Sequence, residues 1–137
     1  MNSILTPVLA LVAWSLAVWL WMYATRIPAM QKARIEPQSA RFPGSLAVLP
    51  DGVRQVADNY NHLMEQPTIF YALAVYVHLT GQADGVNIGL AWAYVGLRVV
   101  HSLVQGTVNL VMVRFALFSL STIALIVITG REVLKLV

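Results

Sequence analysis

An all-α fold, a four-transmembrane-helix antiparallel bundle, is predicted by three observations on this 137-residue chain. Hydrophobic residues make up 58% and charged residues only 11%, with a mean hydropathy of +0.70, too apolar for a soluble domain of this length. The apolar residues fall into long runs near the 20 or so residues that a helical crossing needs. No strand-like alternation is present. The whole chain, 1–137, reads as a single membrane domain without internal repeats.

The first span, Ile4 to Thr25, has no charge; its first basic residue, Arg26, comes after the run, which is the reverse of a signal peptide, so the segment is expected to stay attached. The long connection 26–55 follows. Pro37, Pro43, Pro50 and Gly44 are expected to keep it irregular, with a short interfacial helix around Ala29 to Ile35. In the second span the clean apolar run, Pro67 to Thr80, is too short to cross a hydrocarbon core of about 30 Å at 1.5 Å per residue. Its helix is therefore expected to start near Val56 and run to residue 80, with Pro67 kinking its interior. The third and fourth spans, Val86 to Gln105 and Val108 to Thr129, are separated by little more than Gly106 and Thr107, which predicts a tight helical hairpin.

Arg26, Lys32, Arg34, Arg41 and Arg54 cluster around the first connection, whereas the turn at Gly81 to Gly85 holds only Asp84. The positive-inside rule then makes the long connection cytoplasmic, although Arg131 and Lys135 pull the other way. The formal charge of +3 is a topology signal rather than a nucleic-acid face, since the bases are dispersed. Absence of cysteine excludes disulfides, protein thiolate catalysis and iron–sulfur clusters, and no metal-ligand spacing occurs.

Depth matters more than chain order for the polar residues. Arg98 lies eight residues before Gly106 and Arg114 eight after it, so both guanidinium groups start roughly 10–12 Å from the same boundary, with Glu65 at similar depth. Asp58, His62 and Glu65 share one helical face, and Tyr94, Arg98, His101 and Gln105 share another. An ion at such depth costs about 2.5–3.5 kcal/mol on insertion scales, so these seams are expected to face inward. Glu65 is expected to pair with Arg98. Two guanidinium groups against one carboxylate leave surplus positive charge, which calls for an anionic guest: a carboxylate, a thiolate or a lipid phosphate.

Four spans, NHLMEQPTIFYAL in the second and RVVHSLVQGTVNLVMVRFALFSLS across the third and fourth resemble the membrane-associated proteins in eicosanoid and glutathione metabolism, the MAPEG family. The resemblance implies a homotrimer that binds glutathione between subunits on the cytoplasmic side and conjugates its thiol to lipophilic electrophiles or reduces lipid hydroperoxides. A bacterial member would sit in the inner membrane, in contact with lipids. By position, Glu65, Arg98, His101 and Arg114 match the family pattern, and Arg114 is the residue implied to stabilise the glutathione thiolate. Arg26, Asn61, His62, Glu65, Arg98, His101 and Gln105 form the implied glutathione-binding set. Departures are also present: His62 stands where glutathione-using members carry asparagine, Asn61 is displaced by one, and Gln105 and Phe118 replace tyrosines. These departures leave open a non-catalytic module of the same fold that binds a fatty acid or phospholipid, and a proton-coupled transporter built on Glu65 and His101.

Overall fold

The computed structural model describes residues 3–42 and 44–137, so Pro43 lies outside the described residues. These residues form α1 (Leu5–Lys32), a 3-10 turn (Pro37–Ala40), α2 (Asp51–Leu63), α3 (Pro67–Leu79), α4 (Gly85–Gly106) and α5 (Val111–Leu134), with no strand among them. Two of the helices, α1 and α5, are long and apolar enough to cross a membrane.

The first correction concerns α1, which does not end at Thr25 but continues through Pro28 to Lys32, absorbing most of the segment expected to be a separate interfacial helix. Proline removes one backbone bond, but packing along α2 holds the helix together past it. It stops where Arg34 turns left-handed (φ 57°): Arg34 N–H donates to Gln31 O and Ile35 N–H to Met30 O, the paired closing bonds of a Schellman end. Gly81 (φ 71°) closes α3 the same way, through Gly81 N–H to His78 O and Gln82 N–H to Val77 O.

The second correction is the second span, which is two helices rather than one kinked helix starting near Val56. Its first part begins earlier, at Asp51, and ends at Leu63. Pro67 has no N–H for the Leu63 carbonyl, so the chain closes with tight bonds from Met64 N–H to Asn61 O and Glu65 N–H to His62 O, then restarts with Pro67 in the first turn of α3.

The buried stripe of α1, Leu11, Ser15, Val18 and Met22, recurs at helical spacing. Its Leu11 and Val18 pack with Leu63, Phe70, Ala74 and Val77 of α2 and α3, Ala91, Tyr94 and Val95 of α4, and Ala124, Leu125 and Ile128 of α5, while Met22 packs with Val56 and Ala57 of α2. Around this core the outer faces are apolar too: Leu9, Leu16 and Leu20 on α1 and Met112, Phe115, Ile123 and Ile126 on α5 are exposed. A soluble protein cannot carry that much apolar surface, whereas lipid or a neighbouring subunit covers it without cost. At the α4–α5 turn a Cβ on Gly106 would overlap the Trp21 ring, so any side chain there would force that ring to move. The helix α5 packs chiefly on α4 and touches α3 only briefly. None of its residues from 111 to 120 is buried, and a cleft therefore separates its first half from α2.

Candidate functional site

That cleft holds the site. An open recess of about 220 Å³ is lined by His62 from α2, His101 from α4, and Val111, Arg114, Phe115 and Phe118 from α5. The break after α2 and the hairpin turn at Gly106 bring these three helices together at one depth.

Arg98 lies directly behind the recess and is wholly buried. Its Nη2 is 2.6 Å from His62 Nδ1, and its Cζ lies 5.5 Å from the centroid of the Phe118 ring. Guanidinium has only donors, so Nδ1 must accept, which leaves the His62 proton on Nε2. The His62 and His101 rings stack at 4.9 Å and 19°, with Phe118 edge-on to His62 at 5.5 Å. On the opposite wall Arg114 Nη1 donates to Asn109 Oδ1 at 2.8 Å.

What these cations lack is acceptors. Buried Arg98 Nε, Arg98 Nη1 and Arg114 Nε have no hydrogen-bond partner among the described residues. Burying N–H groups of a cation without acceptors costs several kcal/mol, and an anion in the recess, beside Arg114 and in front of Arg98, would offset part of that cost through its charge. Chemically, the arrangement supplies fixed positive charge beside apolar walls, suited to hold an anion and raise the acidity of a thiol.

The expected pairing of Glu65 with Arg98 is not formed. Glu65 is exposed and makes no ion pair among the described residues, and His62 takes its place as partner. The reason is helical phase. The inward face of the second span carries Gln55, Asn59, His62 and Gln66, one residue out of step with Asp58 and Glu65, which are exposed. One residue is about 100° of rotation, enough to turn a seam outward.

On α4 the stripe Tyr94, Arg98, His101 and Gln105 lies buried. Gln105 Oε1 has no partner, and Gln105 does not line the recess. Asn61 is exposed. Arg26 is half-buried, with Nε unpartnered, and lines a different recess of about 140 Å³ with Arg54 and Asp58. Within one protomer, then, His62, His101 and Arg114 meet with Arg98 behind them, while Arg26, Asn61, Glu65 and Gln105 do not line their recess.

Several contributors are absent from the sequence reading. Asn59 accepts from Ser102 Oγ at 2.8 Å while its Nδ2 stays unpartnered. Gln66 accepts from Tyr94 Oη at 3.2 Å and donates to Thr122 Oγ1 at 2.9 Å, tying α3, α4 and α5 together above the recess. The period Gln55, Asn59, His62, Gln66 was the available signal, three amides and a histidine rather than carboxylates.

Among the described residues no cluster of metal-ligating side chains occurs. No curated protein and no solved structure gives a significant match to the chain. A sequence profile does: that of the MAPEG family matches residues 4–134, nearly the whole length, and the chain belongs to that family.

Proposed function

We propose that this is a membrane-bound glutathione transferase or peroxidase-like protein, in which glutathione or a related anionic thiol binds between subunits of a homotrimer and is conjugated to lipophilic electrophiles. Family membership supports a membrane glutathione-transferase-like or related function. The observation that carries the finer reading is the surplus of positive charge, Arg114 lining and Arg98 behind, at a recess walled by Phe115 and Phe118, with N–H groups on both that have no acceptor among the described residues. Arg114 stabilises the thiolate, which is the nucleophile. Arg98 fixes His62, which lines the recess with its proton on Nε2 and can serve as a neutral donor. Phe115, Phe118 and Val111 admit the electrophile from the bilayer.

Glu65, Asn61 and Arg26, exposed or apart from the recess in one protomer, act across the subunit boundary, where Arg26 meets a glutathione carboxylate. In this reading the chain crosses the inner membrane four times with the connection between α1 and α2 on the cytoplasmic side, a reading supported by that connection's excess of bases; Arg131 and Lys135 at the opposite end are held by Asp84 and Glu132.

Millimolar glutathione should raise the melting temperature of the detergent-purified protein, and a chloronitrobenzene should be conjugated. No shift and no conjugate would reject the enzyme reading. A second reading, a non-catalytic fatty-acid or phospholipid binder, is favoured by the largely apolar recess wall and by Phe118 in place of a tyrosine. It predicts a shift with laurate and none with glutathione.

A further inference from the structure

The turn that leads into α5 is tied at three points. Gln55 Nε2 donates to Thr107 O at 2.6 Å, pinning the turn to α2 across 52 residues of sequence. Asn109 N–H donates to Val104 O at 2.7 Å, and Asn109 is left-handed, with φ 52°. Its side chain is the third tie. The start of α5 at Leu110 has no side-chain cap, so the Asn109 amide is not spent on the helix, although asparagine beside a helix start is well suited to that use. It accepts instead from Arg114 Nη1, five residues ahead, at 2.8 Å.

We propose that Asn109 is a positioning residue, which holds the Arg114 guanidinium at the mouth of the recess by accepting from Nη1 while leaving Nη2 and the charge itself for the guest. The inference rests on the role given above to Arg114. The position makes two demands at once: a backbone that tolerates positive φ and a short side chain that ends in an acceptor oxygen. Asparagine and aspartate satisfy both, glycine only the first, and alanine neither. The hydrogen bond costs Arg114 one of its five donors and removes the rotamer freedom that a long side chain would otherwise lose on binding.

Substitutions that separate the two demands test the assignment on the full chain in detergent. Phenylglyoxal modification of Arg114, mapped by mass spectrometry, reads the freedom of its guanidinium with no ligand present. Asn109→Gly should speed that modification about tenfold, the scale of one charge-assisted hydrogen bond, and Asn109→Asp should leave it near the wild-type rate. Gln55→Leu, which loosens the turn without touching Asn109, should speed it less. In conjugation assays Asn109→Gly should lower kcat about 10- to 100-fold and move the alkaline rise of the pH–rate profile to higher pH, because a displaced guanidinium acidifies the thiol less. An unchanged modification rate in both Asn109→Gly and Gln55→Leu would overturn the proposal. Faster modification of Arg114 in a protein whose wild type forms no glutathione conjugate would uphold the positioning role and reject the glutathione reading.

Discussion

At the Gly81 end of the bundle Arg131 donates to Asp84 at 2.6 Å and Lys135 to Glu132 at 2.9 Å, whereas at the Gly106 end Arg98 and Arg114 keep buried N–H groups without acceptors. Each end carries two cations: Arg131 and Lys135 lie at the end of α5, and Arg98 and Arg114 lie on α4 and α5. They differ in the anions supplied. Buried Asn87 completes the first end: Nδ2 donates to Glu132 Oε1 at 2.8 Å and to Gln82 O at 2.9 Å, and Oδ1 accepts from Arg131 Nε at 3.1 Å. A network closed in this way holds helix ends together and has no unmet demand for a ligand. Of the seven buried polar atoms without partners among the described residues, only Trp14 Nε1 lies outside the Arg26, Asn59, Arg98, Gln105 and Arg114 group. Unmet donors mark the end where the proposed ligand site lies.

The difference predicts opposite responses to substitution. Removing Arg114 as alanine should lower conjugation about 100- to 1,000-fold, the scale for loss of a fixed donor at developing negative charge, while the purified assembly keeps its size. His62→Leu should destabilise the fold by about 3 kcal/mol in thermal unfolding, since it deprives the buried Arg98 of its one hydrogen-bond partner. Loss of that partner was expected from removal of Glu65; the geometry transfers the effect to His62. At the closed end Asn87→Ala should cost about 2 kcal/mol but leave the glutathione-induced shift in melting temperature unchanged. A change in that shift would mean that the two ends are coupled.

The smallest effect is one of pH at the closed end. The backbone N–H of Asn87, and then Arg131, hold the Asp84 carboxyl below its usual range. A depressed folded-state value stabilises above the unfolded pKa and is lost as pH falls through the folded one. Acidification below about pH 4 should therefore lower the melting temperature of the wild type slightly more than that of Asp84→Asn.

How much of this was legible from the sequence depends on distance along the chain. The hairpin around Gly106 and the depth match of Arg98 and Arg114 needed only counting from one turn. The stripe on α4 could be read because its polar residues interrupt an otherwise apolar helix. On α2 and in the break that follows it, polar residues occur all round, so charge drew attention to Asp58 and Glu65 when the inward face belonged to Asn59 and Gln66. Pro67 signalled a disturbance, but only packing decided between a kink and two helices. The closed end joins Asp84 and Asn87 to residues more than 40 positions away, which no local pattern reveals, and at the left-handed turn the only local sign is the asparagine itself.

Proton release on mixing with glutathione tests the central claim most directly, because a thiol that binds as its anion must give up its proton. With the detergent-purified protein in weak buffer containing a pH indicator, the wild type should release close to one proton per bound glutathione near neutral pH, and Arg114→Ala should release none. Glutathione that binds without proton release, or equal release from both proteins, would contradict the account.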